Sequence, residues 1–458
     1  MAKSNNSILQ GPLFLNIVTY TIPIILTSVL QLLFNAADLV IVGRFCGSVS
    51  VAAVGATGSI TNLIVNLFIG LSVGAGVAVA RAYGSKDDVM VHRTVHTAIP
   101  TAIVGGIVLT FVGVLFSEDF LRMMDTPENV LELSAVYMKI YFGGIVFSMV
   151  YNFCSSILRA VGDTKSPLIF LSIAGVVNVV LNVIFVTLFH MNVAGVALAT
   201  IISQAVSAVL VVIALMRRTD ASKLVLSKLR FYKRQLLLII QIGLPAGIQS
   251  SLFSISNVII QSSINSFGDV FMSGNAAAGN IEGFVYVCLN AFYQTTVNFV
   301  GQNSGARQYK RVAKIVWMCA ASVTVVGMLT GFLAYFFGEQ LLSIYITDSA
   351  EAITYGLVRL AYVSLPYFLC GLMEVSTGAL RGLGASLTPM IISILGVCGV
   401  RITWIYTIFR MEQFHTPECL YFSYVVSWTF TLIVQFIAFV FVYRKHVRTF
   451  GSVSENNE

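Results

Sequence analysis

A stripe of polar residues runs along the first long apolar segment of the sequence. Thr27, Gln31, Asn35 and Asp38 follow one another at steps of four, four and three residues, which places them on one face of a helix. A charged side chain inside a membrane span is costly, so it is a functional candidate by default. The Asp38 carboxyl could take up a proton, or bind a sodium ion together with neighbouring oxygens. The alternative is that Asp38 lies near the outer membrane surface and is simply hydrated.

Two asparagines in a later apolar segment could extend this site. Asn178 and Asn182 are one helical turn apart on a face that is otherwise apolar, and Thr200 lies in the next segment. Together with Asp38 they predict an oxygen-rich cluster that binds a coupling cation. Asparagine within a span often forms only a helix–helix hydrogen bond, and this alternative stays open.

The second half of the sequence has its own intramembrane acids. Glu282 begins a stripe with Tyr286, Asn290 and Tyr293, and Glu374 follows in a later segment. Both carboxylates are further candidates for cation coupling. The nearby Arg401 could neutralise one of them, and the sequence does not decide which. The candidates for lining a substrate cavity are Gln31, Asn35, Asn152, Tyr286, Asn290 and Tyr293.

Composition identifies the elements that must position these residues. The chain has 458 residues, of which 57% are hydrophobic and 10% charged, and its mean hydropathy is +0.87. Soluble domains carry about 25% charged residues, so this chain could not cover a soluble surface. The sequence predicts an all-α polytopic membrane protein. We expect the first apolar segment to remain as a span, since it is too long for a cleaved signal sequence.

Twelve apolar segments are long enough to cross a bilayer, which takes about 20 residues each. The predicted spans are 13–42, 51–79, 94–116, 134–157, 167–189, 193–216, 236–264, 271–300, 313–337, 354–379, 388–409 and 418–443. Pro23 and Pro245 lie inside the first and seventh spans and predict hinges, because proline removes a backbone hydrogen bond. Gly70, Gly74 and Gly76 predict a close approach between helices.

The two halves of the sequence repeat one another. The motif LRAVGDTKSP at 158–167 returns as LRGLGASLTP at 380–389, an offset of 222 residues. The same offset joins Pro23 to Pro245 and Asn152 to Glu374. Six spans in each copy give both copies the same orientation. The repeat therefore predicts two six-helix lobes related by a pseudo-two-fold axis along the membrane normal.

The distribution of basic residues predicts the orientation of the chain. If the N-terminus is cytoplasmic, 21 of the 27 Lys and Arg residues lie in inner segments. We expect the protein to lie in the plasma or inner membrane of the cell. The positive-inside rule then predicts that both termini are cytoplasmic. We expect an N-terminal lobe at 1–216, a basic cytoplasmic linker at 217–235 resting on anionic lipid, a C-terminal lobe at 236–443 and a cytoplasmic tail at 444–458.

Other kinds of site have little support in the sequence. The seven cysteines form no CxxC pair, the five histidines form no HExxH motif, and no GxxxxGK[ST] loop is present. We therefore expect neither an enzyme nor an ATP-driven pump, and no cofactor or bound metal other than a coupling proton or sodium ion. The net charge of +7 is placed at span ends and does not indicate nucleic-acid binding. The expected partners are small amphipathic or cationic molecules and the lipid bilayer, and the expected state is a monomer.

The chain resembles the MATE (multidrug and toxic compound extrusion) transporters over nearly its full length. The motif at 158–167, its copy at 380–389 and the sequence GQNSGA at 301–306 look like signatures of that family. The resemblance implies two lobes that open outward as a V, cation-driven antiport, and export of amphipathic, often cationic compounds. It is greatest to the DinF-type branch, whose coupling cluster is an Asp, an Asn, an acid one turn later and a Thr. Asp38, Asn178 and Thr200 match that cluster, while Asn182 departs because an amide replaces the acid.

Three functions follow from these observations. The first is a secondary antiporter in which a cation at Asp38 and a drug displace each other by alternating access. The second is a flippase for a lipid-linked sugar or another amphipathic lipid, although the spans contain no basic cluster that would bind a diphosphate. The third is a receptor or an enzyme embedded in the membrane. In the NorM-type branch of the family the acids lie in the second lobe, and Glu282 and Glu374 could be analogous, although their spacing does not match that branch cleanly.

Overall fold

The structure is a computed structural model that describes residues 8–124, 126–347 and 349–450. The last part of the predicted tail, 451–458, lies outside the described residues. Within the described ranges every regular element is a helix, and no strand is present. This confirms the predicted all-α class.

The first half of the chain forms seven α-helices. They are α1 Leu13–Cys46, α2 Ser48–Gly84, α3 Asp88–Met123, α4 Glu128–Gly143, α5 Ile145–Ala160, α6 Lys165–Val183 and α7 Asn192–Met216. Helix α6 continues into a π-helical segment, Ile184–Leu188. A short 3₁₀ helix, Leu226–Lys228, lies in the basic linker.

The second half forms nine α-helices. They are α8 Lys233–Asn265, α9 Asp269–Gly305, α10 Tyr309–Phe336, α11 Gly338–Ser343, α12 Ala350–Arg359, α13 Tyr367–Gly382, α14 Leu387–Ser393, α15 Val400–Tyr406 and α16 Pro417–Phe450. Two π-helical segments, Leu360–Ser364 and Ile394–Gly399, follow α12 and α14. Two 3₁₀ helices, Ile408–Arg410 and Glu412–Phe414, precede α16.

Among the described residues, nine helices are long and apolar enough to cross a membrane. The count is up to eleven if α4 with α5, and α12 with α13, each form one bent span, with bends of 48° and 40°. The remaining predicted span, 271–300, lies within the 37-residue helix α9. That helix is long enough to cross a membrane. Its Gly, Asn and Thr residues make it less apolar than the nine candidate spans.

The described residues group into two compact units. The first comprises Met1–Ile25 and Leu252–Glu458 as far as they are described, and the second comprises Leu26–Ser251. The unit boundaries fall inside α1 and α8, whereas the sequence analysis placed them around the linker at 217–235. The linker lies wholly within the second unit. Apolar periodicity marks where a helix runs and does not show which neighbours each half of a long helix contacts.

The basic linker is bound to the N-terminal part of α3. The Val225 N–H donates to Nε2 of the buried His96 at 3.0 Å, and the Tyr232 N–H donates to Oγ1 of Thr97 at 3.2 Å. The Arg230 N–H donates to the His96 carbonyl at 3.3 Å. The linker is therefore attached to the protein through its backbone. Its predicted contact with anionic lipid is an additional expectation.

Close packing of α2 against α8 confirms the predicted role of the glycines. A Cβ at Gly70 would lie 2.2 Å from the Gly247 nitrogen, and a Cβ at Gly74 would lie 2.3 Å from the Ile239 carbonyl oxygen. These neighbours are backbone atoms, which cannot rotate away. A Cβ at Gly76 would meet Ser156 of α5. The first unit uses a polar contact as well, because the buried hydroxyls of Thr21 and Thr295 are hydrogen-bonded at 2.8 Å.

Candidate functional site

The predicted polar stripe of α1 does not share one environment. Thr27 is buried, Asp38 is half-buried, and Gln31 and Asn35 are exposed. The carboxyl of Asp38 faces α6 and α7, which makes it the member of the stripe that is held by other helices. The Asp38 carboxyl is therefore hydrogen-bonded within the protein and not simply hydrated.

The predicted cluster around Asp38 is present. Nδ2 of Asn182 donates to the Asp38 carboxylate oxygen at 2.5 Å and also contacts Oδ1 of Asn178 at 3.3 Å. Nδ2 of Asn178 donates to Oγ1 of Thr200 at 3.5 Å, and the Thr200 hydroxyl is also hydrogen-bonded to Asp38. Asn178 and Asn182 are buried, with exposures of 5% and 0%. The sequence analysis thus identified the four residues that meet here.

One acceptor of the cluster has no donor. Oδ1 of Asn182 is buried and has no hydrogen-bond partner in the described structure. A buried carbonyl oxygen without a donor is unfavourable, and such an atom needs an explanation in a folded protein. Next to a carboxylate and a threonine hydroxyl, it is an oxygen ligand available to a hard cation.

Local structure explains the position of the two asparagines. They are one turn apart on α6, so their side chains point to the same side of the helix. The π-helical segment Ile184–Leu188 begins two residues after Asn182. The chain then turns sharply into α7 through His190 and Asn192, which have φ values of 52° and 51°. The short connection places Thr200 beside α6.

The sequence analysis missed Tyr137 of α4. It lies near the Asp38 carboxylate. Tyr137 also packs with Tyr141, with ring centroids 6.3 Å apart. A tyrosine among apolar residues was the available signal, but the sequence does not show which face of α4 meets α1.

Glu282 is already paired. Arg359 donates from Nε and Nη2 to its two carboxylate oxygens at 2.9 and 2.7 Å, and this ion pair is largely buried. The same guanidinium donates to Oδ1 of Asn275, which also accepts from the Tyr421 hydroxyl at 3.0 Å. Arg401 is therefore not the partner of Glu282. A carboxylate held by two charge-assisted hydrogen bonds is poorly suited to release and bind a coupling cation.

Glu374 and Asn152 occupy the same repeat position in different settings. Glu374 is buried, with 7% exposure, and forms no ion pair among the described residues. The Asn152 amide donates to the Ser148 carbonyl of its own helix at 2.8 Å. Glu374 lies in the first unit, whereas Asn152 lies in the second unit together with Asp38. The hydrogen bond of Asn152 is to its own helix and not to the Asp38 cluster.

The second polar stripe, on α9, continues from Glu282 along one face. Tyr286 is 38% exposed and is hydrogen-bonded to Asn290, whose Oδ1 accepts from Gln294 at 2.9 Å. Tyr293 is buried, and its hydroxyl accepts from Nη1 of Arg381 at 2.5 Å. Tyr286 is thus the member of this stripe that is most accessible to a substrate.

Pro23 and Pro245 lie inside α1 and α8, and both helices continue through them. Each proline removes one backbone hydrogen bond from its helix, as the predicted hinges require.

These features define a polytopic α-helical membrane protein with a cluster of one half-buried carboxylate and two buried amides between its helices. The MatE family model matches residues 23–184 and again 245–407. The chain belongs to the MatE family. The two matches begin 222 residues apart, which is the offset of the sequence repeat.

Two relatives of this chain have names that refer to multidrug resistance or multidrug export. The chain is 27% identical over 436 residues to "Probable multidrug resistance protein YoeA" of Bacillus subtilis, covering 93% of each chain. It is 22% identical to "Multidrug export protein MepA" of Staphylococcus saprophyticus, covering 84% of this chain and 85% of that one. In fold it is similar to a structure described as the outward-facing conformation of a multidrug resistance MATE family transporter. The TM-score is 0.89 at 20% identity, with 98% and 99% of the two chains covered.

Proposed function

We propose that this protein is a secondary active transporter that exports amphipathic, often cationic compounds in exchange for a proton or a sodium ion bound at Asp38. The observation that carries the proposal is the cluster of Asp38, Asn182, Asn178 and Thr200, whose members come from three helices. A carboxylate inside a membrane span costs free energy. Its presence there therefore indicates a function. The names of the relatives support multidrug export as the process it drives.

The cluster offers chemistry for either coupling ion. A proton needs only the Asp38 carboxylate. A sodium ion needs several oxygens, and the unpartnered Oδ1 of Asn182 supplies one beside the oxygens of Asp38 and Thr200. The replacement of an acid by Asn182 leaves one carboxylate here, so we propose that one monovalent cation is bound at a time.

Coupling requires that the cation and the cargo favour different states of the protein. A ligand shifts an equilibrium only by its difference in affinity for the two states. Asp38 and the residues that bond to it come from α1, α6 and α7. A change in the packing of α1 against α6 and α7 would therefore change the affinity for the cation directly.

The change Asp38→Asn tests the proposal. The amide keeps the shape of the side chain but removes the charge that binds the cation, so we expect energised dye efflux from intact cells to fall to the level of cells without the protein. Asp88→Asn is the matched control, because Asp88 lies in the first turn of α3, away from the cluster. Unchanged efflux by the Asp38 variant at normal abundance would contradict the proposal.

Vesicles containing the purified protein identify the ion. A proton gradient and a sodium gradient are imposed separately, and dye accumulation is followed by fluorescence. Accumulation driven by one gradient alone assigns that ion as the coupling ion. No accumulation with either gradient would argue against antiport.

A further inference from the structure

Arg401 is a buried cation without an anionic partner. It is 4% exposed and lies in the predicted eleventh span. In the part of the chain that the structure describes, its single hydrogen bond is from Nε to Oγ of Ser427 at 2.9 Å, and it forms no ion pair. Neither terminal Nη atom is completely enclosed. The guanidinium therefore keeps several donors free.

Other buried arginines of the same unit are used differently. Arg359 forms its bidentate ion pair with Glu282, and Arg381 donates to the Tyr293 hydroxyl. A buried charge without a counter-ion is strongly unfavourable. We therefore expect Arg401 to bind an anionic group that the described chain does not supply.

An aromatic wall extends from Arg401. Its Cζ lies 4.1 Å from the ring centroid of Tyr424 and 5.7 Å from that of Trp428. Trp428 stacks on Tyr367 with centroids 5.1 Å apart, and Tyr367 lies 6.4 Å from Tyr286, which is 38% exposed. The wall thus leads from an accessible tyrosine to the guanidinium.

The opposite charge lies nearby. Cys370 lies near both Glu374 and Arg401, although the two charged groups form no ion pair with each other among the described residues; the basic group whose charge acts on Glu374 is Arg381. Glu374 also lies near Tyr286. The wall therefore carries an anionic group and a cationic group at separate places.

We propose that Arg401 binds the carboxylate of a zwitterionic aromatic cargo, whose rings lie against Trp428 and Tyr367 and whose cationic end is near Glu374. This inference rests on the proposed export function and names a cargo class for it. A guanidinium can hold a carboxylate with two parallel hydrogen bonds, which a purely cationic compound cannot accept. Arg401 is then a residue that determines specificity.

A matched pair of dyes tests this inference. Rhodamine B carries a xanthylium cation and a carboxylate, whereas rhodamine B ethyl ester has the same rings without the negative charge. Binding of both to the purified protein in detergent is measured by fluorescence anisotropy. For Arg401→Gln we expect the affinity for rhodamine B to fall by about tenfold or more, as for the loss of a charge-assisted hydrogen bond, and the affinity for the ester to change by less than about twofold.

Arg410→Gln is the control, because Arg410 is an exposed arginine over a tyrosine ring in the same unit. Arg401→Lys keeps the charge without the planar fork, and we expect it to retain part of the preference for rhodamine B. Thermal unfolding midpoints show whether each variant is folded. If Arg401→Gln destabilises the protein, Arg401→Lys and Ser427→Ala are compared instead. Equal loss of both dyes, or no loss of either, would overturn the inference.

The same dyes separate this inference from the proposed function. If wild-type cells export neither dye, the export function fails, while the binding ratio in detergent still tests Arg401. If Asp38→Asn abolishes export of both dyes and Arg401→Gln reduces both equally, the export function stands and the assignment of Arg401 is wrong.

Discussion

At the scale of single residues, the proposed cation site depends on one amide. Asn182 is fully buried and donates to both Asp38 and Asn178, so it connects the carboxylate to the rest of the cluster. A hydrogen bond to a charged group contributes about 1.5–3 kcal/mol, which is large for one contact. Asn182 is therefore a positioning residue for Asp38.

We expect Asn182→Leu, which keeps the branched shape but removes the donor, to lower dye export by about tenfold or more at unchanged protein abundance, because Asp38 loses this hydrogen bond. Export is measured as the initial rate of dye loss from energised cells. Gln261→Leu is the control, since Gln261 is an exposed amide whose hydrogen bond to Asn265 lies outside the cluster. Equal export by the two variants would contradict a positioning role for Asn182.

The sequence predicted the members of this cluster but not all its contacts. Asp38, Asn178 and Asn182 stand out because polar groups are rare in apolar spans, and helical spacing assigns the two asparagines to one face. The pairing of Glu282 with Arg359 could not be read in this way. It joins residues 77 positions apart, and it depends on how α9 and α12 are rotated about their axes.

At the scale of elements, the contact between α2 and α8 has no room for side chains. The backbone of Gly70 and Gly74 lies directly against that of α8. Packing of this kind replaces the hydrophobic driving force that is missing between helices in lipid. Sequence spacing predicted the close approach, but it could not name α8 as the partner.

We expect Gly74→Ala to destabilise the protein by about 1–3 kcal/mol, since the new Cβ would lie 2.3 Å from a backbone oxygen. The thermal unfolding midpoint of the purified protein measures the effect. Gly55→Ala is the matched control on the same helix, because a Cβ there would meet nothing within 4 Å. A midpoint for Gly74→Ala that equals that of the control would show that α2 and α8 can separate without cost.

The π-helical segments mark the limit of prediction at this scale. Apolar periodicity placed the spans 167–189 and 388–409 correctly but gave no sign that each contains a π turn. A π turn shifts every later side chain around the helix, so it changes which residues face a site.

At the scale of the whole molecule, the duplication is shown by two matches of one family model, while the residues in the two copies differ in charge. The first copy contains the carboxylate cluster of Asp38. The second contains Glu282, which is paired with Arg359, and Glu374 and Arg401, which form no ion pair within the described ranges. We therefore propose a division of roles, with cation coupling in the first copy and cargo recognition in the second.

The bias of basic residues predicts that both termini and the linker at 217–235 are cytoplasmic. We expect green fluorescent protein fused after residue 458 to be fluorescent, and alkaline phosphatase inserted between 410 and 417 to be active, because that segment joins the last two spans outside the cell. Fluorescence and phosphatase activity of intact cells are the measurements. An active phosphatase fused at the C-terminus would reverse the predicted orientation.

The chain passes between its two units at Ile25–Leu26 and at Ser251–Leu252, and both passages lie within unbroken helices. A flexible loop would let one unit move without straining the other. A continuous helix is much stiffer than a loop. Any displacement must therefore appear as bending or torsion of α1 and α8. Pro23 and Pro245 lie a few residues before the passages, where a missing hydrogen bond makes each rod most compliant. Since α1 also carries Asp38, bending of that helix would act on the same backbone as the proposed cation site.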